Sequence, residues 1–324
     1  MTTRIRMDGV PPAAAGALSR TGGLPGWLAA VAQTARPRQW PKNLLVFAAP
    51  LAGASLGRDE GLGYALAAAA AFTAAAAAVY FVNDVLDADR DRRHPVKRLR
   101  AVASGRLPRG HALAVAALSL GLAEAACLWL DMDALGLLVL VYFAVSLLYS
   151  AALKHLPVVE LVFVASGFVL RALGGASATR VPPSGWFLLV CSLGALMVAI
   201  AKRFTELSVL GSRAARTRPV MRWYRPGWLR LSQRAVSVGI ITCYVLWAAG
   251  QAGAGTRVLH LVSTVPLAAA LIRFDWLTGH EQAKPVEDLI CRDRLMVGCE
   301  LGWLVLFAAG LLTLPSEQAL VTYG

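Results

Sequence analysis

Long apolar runs alternate with short polar segments along almost the whole chain. Hydrophobic residues make up 57% of it and charged residues only 16%. Several of the runs reach the roughly 18 to 20 residues that an α-helix needs to cross the hydrocarbon core of a bilayer. We therefore predict an all-α, polytopic integral membrane protein. Its nine transmembrane helices are predicted at residues 42–57, 62–86, 111–130, 134–153, 157–177, 184–206, 233–252, 257–275 and 294–314.

The N-terminal residues 1–35 differ from the rest of the chain, because they are rich in Ala, Pro and Gly and have no long apolar run. Without an uninterrupted apolar core and a cleavage site, they predict a cytosolic tail, partly disordered or interfacial, rather than a signal peptide. Within this tail, LPGWLAAVAQ predicts a short helix along the membrane interface, with Trp27 as its anchor. Residues 36–324 form the predicted transmembrane domain.

The net charge of +13 is concentrated in alternate loops. With the N-terminus in the cytosol, 28 of the 32 Lys and Arg residues fall on the inner side. The positive-inside rule therefore predicts an N-in, C-out topology, with the chemistry facing the cytoplasm. This distribution argues against nucleic acid as a partner. The outer side keeps only Arg58, Arg171, Arg180 and Arg257.

An acidic stretch ends the second apolar run, in YFVNDVLDADRDRRHPVKRLRAVASG. If that helix continues through its end, at about 100° per residue, five side chains share an arc of about 100° and Asp89 faces the opposite way. Carboxylates crowded on one face need a cation between them, and oxygen ligands of this kind suit Mg²⁺. The five are Tyr80, Asn83, Asp84, Asp87 and Asp91.

Six basic residues follow this acidic face. Carboxylates that hold a metal, ringed by cations, are typical of a diphosphate site. The alternative is a solvated helix end whose aspartates are neutralised by nearby arginines. The basic residues are Arg92, Arg93, His94, Lys97, Arg98 and Arg100.

The stretch NDVLDADRDRRHPVKRLRAVASG resembles the NDxxDxxxD…HPxKxxRPxxSG signature of the UbiA superfamily of intramembrane prenyltransferases. One departure is Ala101, where the family usually has proline. The resemblance implies a UbiA-like prenyltransferase fold. It also implies Mg²⁺ contact by Asn83 and Asp87, contact by Asp84 and Asp91 directly or through water, and a catalytic role for Asp84 and Asp87.

A second aspartate motif, which most aromatic prenyltransferases of the superfamily carry after the sixth span, has no counterpart in AKRFTELSVLGSRAARTRP. Lys202, Arg203 and Glu206 share a helical face there instead. The stretches RPRQWPKN, YSAALKHLPVVELVFVASGFVLRALGG and KPVEDLICRDR resemble the polyprenyl-phosphate phosphoribosyltransferase branch. That branch transfers 5-phosphoribose from phosphoribosyl diphosphate (PRPP) to polyprenyl (decaprenyl) phosphate. The reaction releases diphosphate and serves the synthesis of arabinan precursors for cell-wall arabinogalactan. The resemblance therefore also implies a multi-pass protein of a bacterial inner membrane.

The resemblance also implies substrate contacts. For PRPP these are Lys42, Asn43, Tyr80, Lys97, Arg100, Tyr149, Lys154, Lys202 and Arg203. For the polyprenyl phosphate they are His155, Arg171 and Glu206.

Several of these residues have a simpler interpretation. Lys42 and Lys97 also fit a membrane anchor and a surface charge. Arg171 fits either a wet cavity, with Glu160 as its intramembrane partner, or an extended conformation that reaches the outer face. Three acidic residues before the last span fit either a lid or loop charge, and these are Glu287, Asp288 and Asp293.

Two other functions stay open at this point. One is a prenyltransferase that moves an isoprenoid chain from a prenyl diphosphate to an aromatic or quinone acceptor. The other is a lipid transporter, which would place charges near the bilayer midplane. The predicted partners are PRPP, polyprenyl phosphate and the lipid bilayer, and the sequence also allows a homo-oligomer.

Overall fold

The computed structural model describes residues 24–53, 55–56, 60–211, 214–217, 219–281 and 286–313. Within these residues every regular element is a helix and there is no strand. The α-helices are α1 (Leu24–Ala35), α2 (Ala48–Ala52), α3 (Gly61–Leu86), α4 (Ala88–Arg92), α5 (Arg109–Trp129), α6 (Asp133–Ala151), α7 (Val159–Ala178), α8 (Gly185–Leu210), α9 (Ala214–Thr217), α10 (Pro226–Ala249), α11 (Ala254–His280), α12 (Val286–Arg292) and α13 (Arg294–Leu312). One 3₁₀ helix of 11 residues covers Pro37–Phe47, and shorter ones cover Lys97–Leu99, Leu153–His155 and Pro219–Trp223.

Eight of these helices are long and apolar enough to cross a membrane, among the residues described. They confirm the all-α, multi-pass prediction, and each corresponds to one of the last eight predicted spans. They are α3, α5, α6, α7, α8, α10, α11 and α13.

The first predicted span, 42–57, has a different local structure. Its described part is the end of the 3₁₀ helix Pro37–Phe47 followed by the five-residue α2. Pro41 lies inside the 3₁₀ helix, and its ring removes a backbone donor that a regular α-helix would use. The count of nine spans and the N-in, C-out orientation therefore stay predictions. The predicted interfacial helix lies within α1, whereas tail residues 1–23 are outside the described part.

The chain divides into two compact units. Of the described residues, the first unit comprises those up to Gln39 together with residues 77–119, and the second comprises those between 40 and 76 together with those from Leu120 onwards. In the first unit, the loop after α4 is held by hydrogen bonds to its backbone. Arg92 donates from Nε to the Ala103 carbonyl at 3.1 Å, and the Ala101 carbonyl accepts the Leu107 amide at 3.0 Å. Ala101 is itself buried, so this loop is ordered without the proline of the family signature.

The second unit is a bundle in which α8 packs against α7 and α10, and α11 packs against α10 and α13. Phe274 and Leu277 of α11 are fully buried in one of its apolar clusters. A second cluster is aromatic, with the Trp247 ring centroid 5.8 Å from that of Phe307. Between membrane-spanning helices, lipid tails are as apolar as these side chains, so it is their close van der Waals packing that holds the bundle together.

Candidate functional site

The acidic stretch follows the membrane-spanning helix α3 with almost no break. The Asp87 amide donates to the Asn83 carbonyl at 2.9 Å, and the Asp91 amide donates to the Asp87 carbonyl at 2.9 Å. Asp87 itself keeps helical backbone angles, with φ −89° and ψ −4°. The helical register predicted from the sequence therefore continues into α4.

Asp84 and Asp91 share one face, as predicted. Arg100 bridges them, because its Nη1 lies 3.4 Å from Asp84 Oδ1 and 2.7 Å from Asp91 Oδ2. Both aspartates are buried, with 3% and 2% of their surface exposed. Their negative charge is therefore balanced by a charged hydrogen bond instead of by water.

The other two aspartates are more accessible. Asp87 is half-buried and pairs with Arg90 at 3.3 Å. Asp89 is exposed and pairs with Arg92 and with Arg109, which confirms that it faces away from the acidic face. Exposed ion pairs of this kind contribute little to stability, about 0 to 1 kcal/mol.

Arg36 is part of this cluster and was missed by the sequence reasoning. Its Nη2 lies 2.5 Å from Asp84 Oδ1, and its Cζ lies 4.8 Å from the centroid of the Tyr80 ring. Arg36 directly follows α1 and has a left-handed backbone with φ 52°, which a non-glycine residue adopts rarely. Only its position in the RPRQWPKN stretch pointed towards the site, because its partner lies 48 residues further along the chain.

The donor atoms of the acidic face fit a hard divalent cation such as Mg²⁺. Among the described residues, no three His, Cys, Asp or Glu side chains are grouped closely enough to hold a metal ion by themselves. Asn83 Oδ1, however, is buried and has no hydrogen-bond partner in the described part of the chain. This amide oxygen and the carboxylates of Asp84, Asp87 and Asp91 form the oxygen-rich set that Mg²⁺ prefers.

The basic residues after the acidic face lie on an exposed turn. His94 Nδ1 accepts hydrogen bonds from the amides of Val96 and Lys97, each at 3.2 Å, and so shapes the entry to the 3₁₀ helix Lys97–Leu99. The Lys97 side chain is exposed. A turn fixed at its backbone therefore presents this lysine to solvent.

In the second unit, Arg203 of α8 is buried between two carboxylates. Its Nε donates to Glu160 at 2.7 Å, and its Nη1 donates to Glu206 at 3.0 Å. The sequence analysis offered Glu160 as a partner of Arg171, and this was wrong. Glu160 opens α7, which packs along α8, so Arg203 of the neighbouring helix reaches it. Lys202 beside it is half-buried.

Arg171 lies inside the bundle and does not extend to the outer face. Its guanidinium donates to Asn43 Oδ1 at 2.7 Å, to the Tyr142 hydroxyl at 2.9 Å and to the Gly167 carbonyl at 2.6 Å. Asn43 donates in turn to the Thr73 hydroxyl at 2.8 Å. Arg171 and Asn43 thus join α7, α6, α3 and the 3₁₀ helix Pro37–Phe47, while their predicted substrate contacts stay predictions.

Tyr149, Lys154 and His155 follow one another at the end of α6 and in the 3₁₀ helix Leu153–His155. Tyr149 and Lys154 are half-buried, and His155 is exposed. Lys42, on the 3₁₀ helix Pro37–Phe47, is also half-buried. No contact with a phosphate follows from these positions alone, so the predicted roles of these residues remain predictions.

The turn that follows His155 is fixed by a tyrosine that the sequence analysis overlooked. Val158 has a left-handed backbone, with φ 63°, and its amide donates to the Tyr224 hydroxyl at 3.0 Å. Burial of this hydroxyl raises the pKa of Tyr224 to about 12, and the hydroxyl stays protonated over the usual pH range.

The acidic residues before the last span have structural partners. Asp293 forms a two-pronged ion pair with Arg273, at 3.1 and 2.8 Å, and caps α13 by accepting the Met296 amide at 2.9 Å. These hydrogen bonds, the one from Arg273 first, lower the pKa of Asp293 to about 2. Asp288 pairs with Arg292, whereas the side chain of Glu287 lies outside the described part. Asp293 therefore has a structural role as an ion-pair partner and helix cap, which differs from both predicted roles, a lid residue and a simple loop charge.

The helices and the cluster of buried carboxylates define a multi-pass membrane protein with a candidate site for a cation and an anionic ligand. The UbiA prenyltransferase family matches residues 43–287, and the chain belongs to this family.

Similar proteins agree in length and in fold. The chain is 37% identical over 286 residues to decaprenyl-phosphate phosphoribosyltransferase of Mycobacterium tuberculosis, covering 87% of this chain and 94% of the relative. It is 33% identical over 288 residues to the protein of that name from Corynebacterium glutamicum, covering 86% of each. A solved UbiA homolog from Archaeoglobus fulgidus, bound to GPP and Mg²⁺, is similar with a TM-score of 0.63 at 17% identity, covering 87% of this chain and 98% of that one.

Proposed function

We propose that this protein transfers 5-phosphoribose from PRPP to a polyprenyl phosphate such as decaprenyl phosphate and releases diphosphate. The observation that carries the proposal is the 33 to 37% identity, over most of the chain, to relatives named decaprenyl-phosphate phosphoribosyltransferase. The location of the reaction at the cytoplasmic face and its use in cell-wall arabinan synthesis belong to the same proposal.

The residues of the first unit suit the donor. In the reaction, an oxygen of the lipid phosphate bonds to C1 of the ribose while the bond from C1 to the diphosphate oxygen breaks. The acceptor is already an anion and needs no general base. Arg100 and Lys97 offer positive charge to the leaving diphosphate. Asn83, Asp84, Asp87 and Asp91 would hold Mg²⁺, which stabilises the negative charge that grows on the leaving group.

A second candidate is prenyl transfer to an aromatic or quinone acceptor. It is favoured by the family membership and by the GPP bound to the Archaeoglobus fulgidus homolog. Glu206 of α8 argues against prenyl transfer. Its carboxylate is paired with the buried Arg203, and the sequence has no second aspartate motif beside it. We therefore favour PRPP as the donor.

The experiment compares membranes that contain the wild type, Asp87→Ala or Asp89→Ala, each given labelled PRPP and polyprenyl phosphate with and without Mg²⁺. We expect a labelled lipid from the wild type only with Mg²⁺, and a loss of at least about 100-fold for Asp87→Ala, as is usual when a group that stabilises transition-state charge is removed. Asp89→Ala is the matched control, since Asp89 is exposed and faces away.

Two outcomes would contradict the proposal. If the wild type forms no labelled lipid from PRPP but consumes a prenyl diphosphate, the second candidate is correct. If Asp87→Ala and Asp89→Ala are equally active, the acidic face does not serve the reaction.

A further inference from the structure

Two guanidinium groups cover the buried carboxylates of the acidic face. The side chains of Asp84 and Asp91 are 4% and 3% exposed, whereas those of Arg36 and Arg100 are 32% and 33% exposed. Each arginine therefore reaches from the solvent side onto the carboxylates beneath it. A ligand that arrives from solvent meets the arginines before it meets the aspartates.

The charges of these four groups already cancel. A bare divalent cation would add two positive charges next to two guanidinium groups, and repulsion between charges only a few ångströms apart in a partly buried place is large. A cation that arrives bound to a diphosphate brings its own negative charge. The same guanidiniums then have a new partner, because arginine binds phosphate oxygens as well as it binds carboxylates.

Arg36 is the better suited of the two arginines to exchange partners. Arg100 bridges Asp84 and Asp91, whereas Arg36 contacts a single carboxylate oxygen and otherwise lies over the Tyr80 ring. Its left-handed backbone joins α1 to the 3₁₀ helix, so the residue sits at a junction between elements and not inside one.

We propose that Arg36 is a place-holding cation. It occupies Asp84 while the site is empty of substrate, makes the binding of free divalent metal unfavourable, and moves onto a phosphate when the metal arrives together with a diphosphate. This inference rests on the proposed function for the identity of the diphosphate. It adds Arg36 to the residues of the site, and it implies that the metal and the diphosphate bind together.

The experiment titrates the purified full chain with Mn²⁺ and follows the free ion by electron paramagnetic resonance. It uses the wild type, Arg36→Gln, Arg36→Lys and Arg38→Gln, each with and without inorganic diphosphate. Without diphosphate, we expect Arg36→Gln to bind Mn²⁺ about tenfold more tightly than the wild type, which corresponds to ~1.4 kcal/mol. Diphosphate should tighten Mn²⁺ binding about tenfold more in the wild type than in Arg36→Gln, because the coupling between the two ligands depends on a guanidinium that the variant lacks.

The other variants separate this role from a structural one. Arg38→Gln removes the same charge from an exposed neighbour and should bind Mn²⁺ as the wild type does. Arg36→Lys keeps the charge and should restore the weak binding of free Mn²⁺. A variant that merely distorts the site would bind Mn²⁺ more weakly in both conditions, and that result would overturn the proposal.

Failure of this inference differs from failure of the proposed function, because the titration needs neither PRPP nor turnover. If Arg36→Gln behaves as the wild type in the titration while labelled lipid is still formed, Arg36 is not a place-holder and the proposed function stands. If the Mn²⁺ response is as expected but PRPP is not consumed, the place-holder serves another diphosphate.

Discussion

Tyr224 is the residue that fixes the turn between α6 and α7. Its ring stacks on Trp228, with centroids 5.9 Å apart, and its hydroxyl accepts the Val158 amide. Val158 is β-branched and adopts a left-handed backbone, which is costly unless the surroundings hold it. The hydroxyl therefore supports a strained residue three positions after His155.

The first prediction concerns Tyr224→Phe, which keeps the ring and removes the hydroxyl. It leaves the Val158 amide without its partner and should lower the free energy of unfolding by about 1 to 3 kcal/mol. The measurement is thermal unfolding in detergent, followed by tryptophan fluorescence. Tyr64→Phe is the control, because Tyr64 is half-buried on α3 and far along the chain from this turn.

The same pair of proteins tests the pKa of Tyr224. Its folded pKa of about 12 lies above the ordinary value of 10.0, so the folded state binds this proton more tightly. The hydroxyl's contribution is fully present below pH 10 and is lost as the pH rises from 10 to 12. The stability difference between the wild type and Tyr224→Phe should shrink over that interval. A difference that stays constant to pH 12 would contradict it.

The directions in which single side chains point were predicted correctly where they depend only on neighbouring residues of the same helix. The face shared by Asp84 and Asp91, and the outward turn of Asp89, follow from helical register alone. The partners of buried charges were not predictable in this way. Arg36 and Asp84, or Arg203 and Glu160, are brought together by packing between elements that are 48 and 43 residues apart.

At the scale of elements, α7 approaches the backbone of the 3₁₀ helix Pro37–Phe47 very closely at one glycine. A Cβ on Gly175 would lie 1.7 Å from the Val46 carbonyl oxygen, which belongs to the 3₁₀ helix Pro37–Phe47. Arg171, one turn earlier on α7, donates to Asn43 of the same 3₁₀ helix. Gly175 and Arg171 together hold the 3₁₀ helix Pro37–Phe47 against α7.

The next prediction is that Gly175→Ala destabilises the protein. The added carbon overlaps a backbone atom that cannot rotate away, so we expect a loss of about 3 kcal/mol, at the upper end of overpacking effects. Gly194→Ala on α8 is the matched control, because its Cβ would have no heavy atom within 4 Å. Thermal unfolding in detergent should show a lower Tm for Gly175→Ala and an unchanged or higher Tm for Gly194→Ala. Equal values would mean that α7 and the 3₁₀ helix do not pack this closely.

The hydropathy pattern predicted the long helices but not this 3₁₀ segment. Eight spans appear where long apolar runs lie, since length and composition suffice to specify them. In WPKNLLVFAAP, apolar content also suggested a span, yet Pro41 and the contacts of Asn43 and Val46 with α7 favour a tighter helix. Such tertiary contacts leave no periodic signal in the sequence.

At the scale of the whole molecule, the unequal distribution of charge still predicts the orientation. Of 32 Lys and Arg residues, 28 fall on the side assigned to the cytosol. Two exposed positions allow this to be measured. Cys291 lies on α12, in a segment assigned to the inner side, and Ala252 lies in the turn between α10 and α11, assigned to the outer side.

We expect Cys291 to react with a membrane-impermeant maleimide only after the cells are permeabilised. In the Cys291→Ser background, Ala252→Cys should react in intact cells, because its turn then faces outwards. The remaining cysteines lie in membrane-spanning helices. The Cys291→Ser protein, labelled by itself, measures how much these cysteines contribute to the background labelling. Since the positive-inside rule assigns every loop together, one labelled loop constrains all the others. Labelling of Cys291 in intact cells would reverse the whole topology and would place the acidic end of α3 on the outer side, away from cytosolic PRPP.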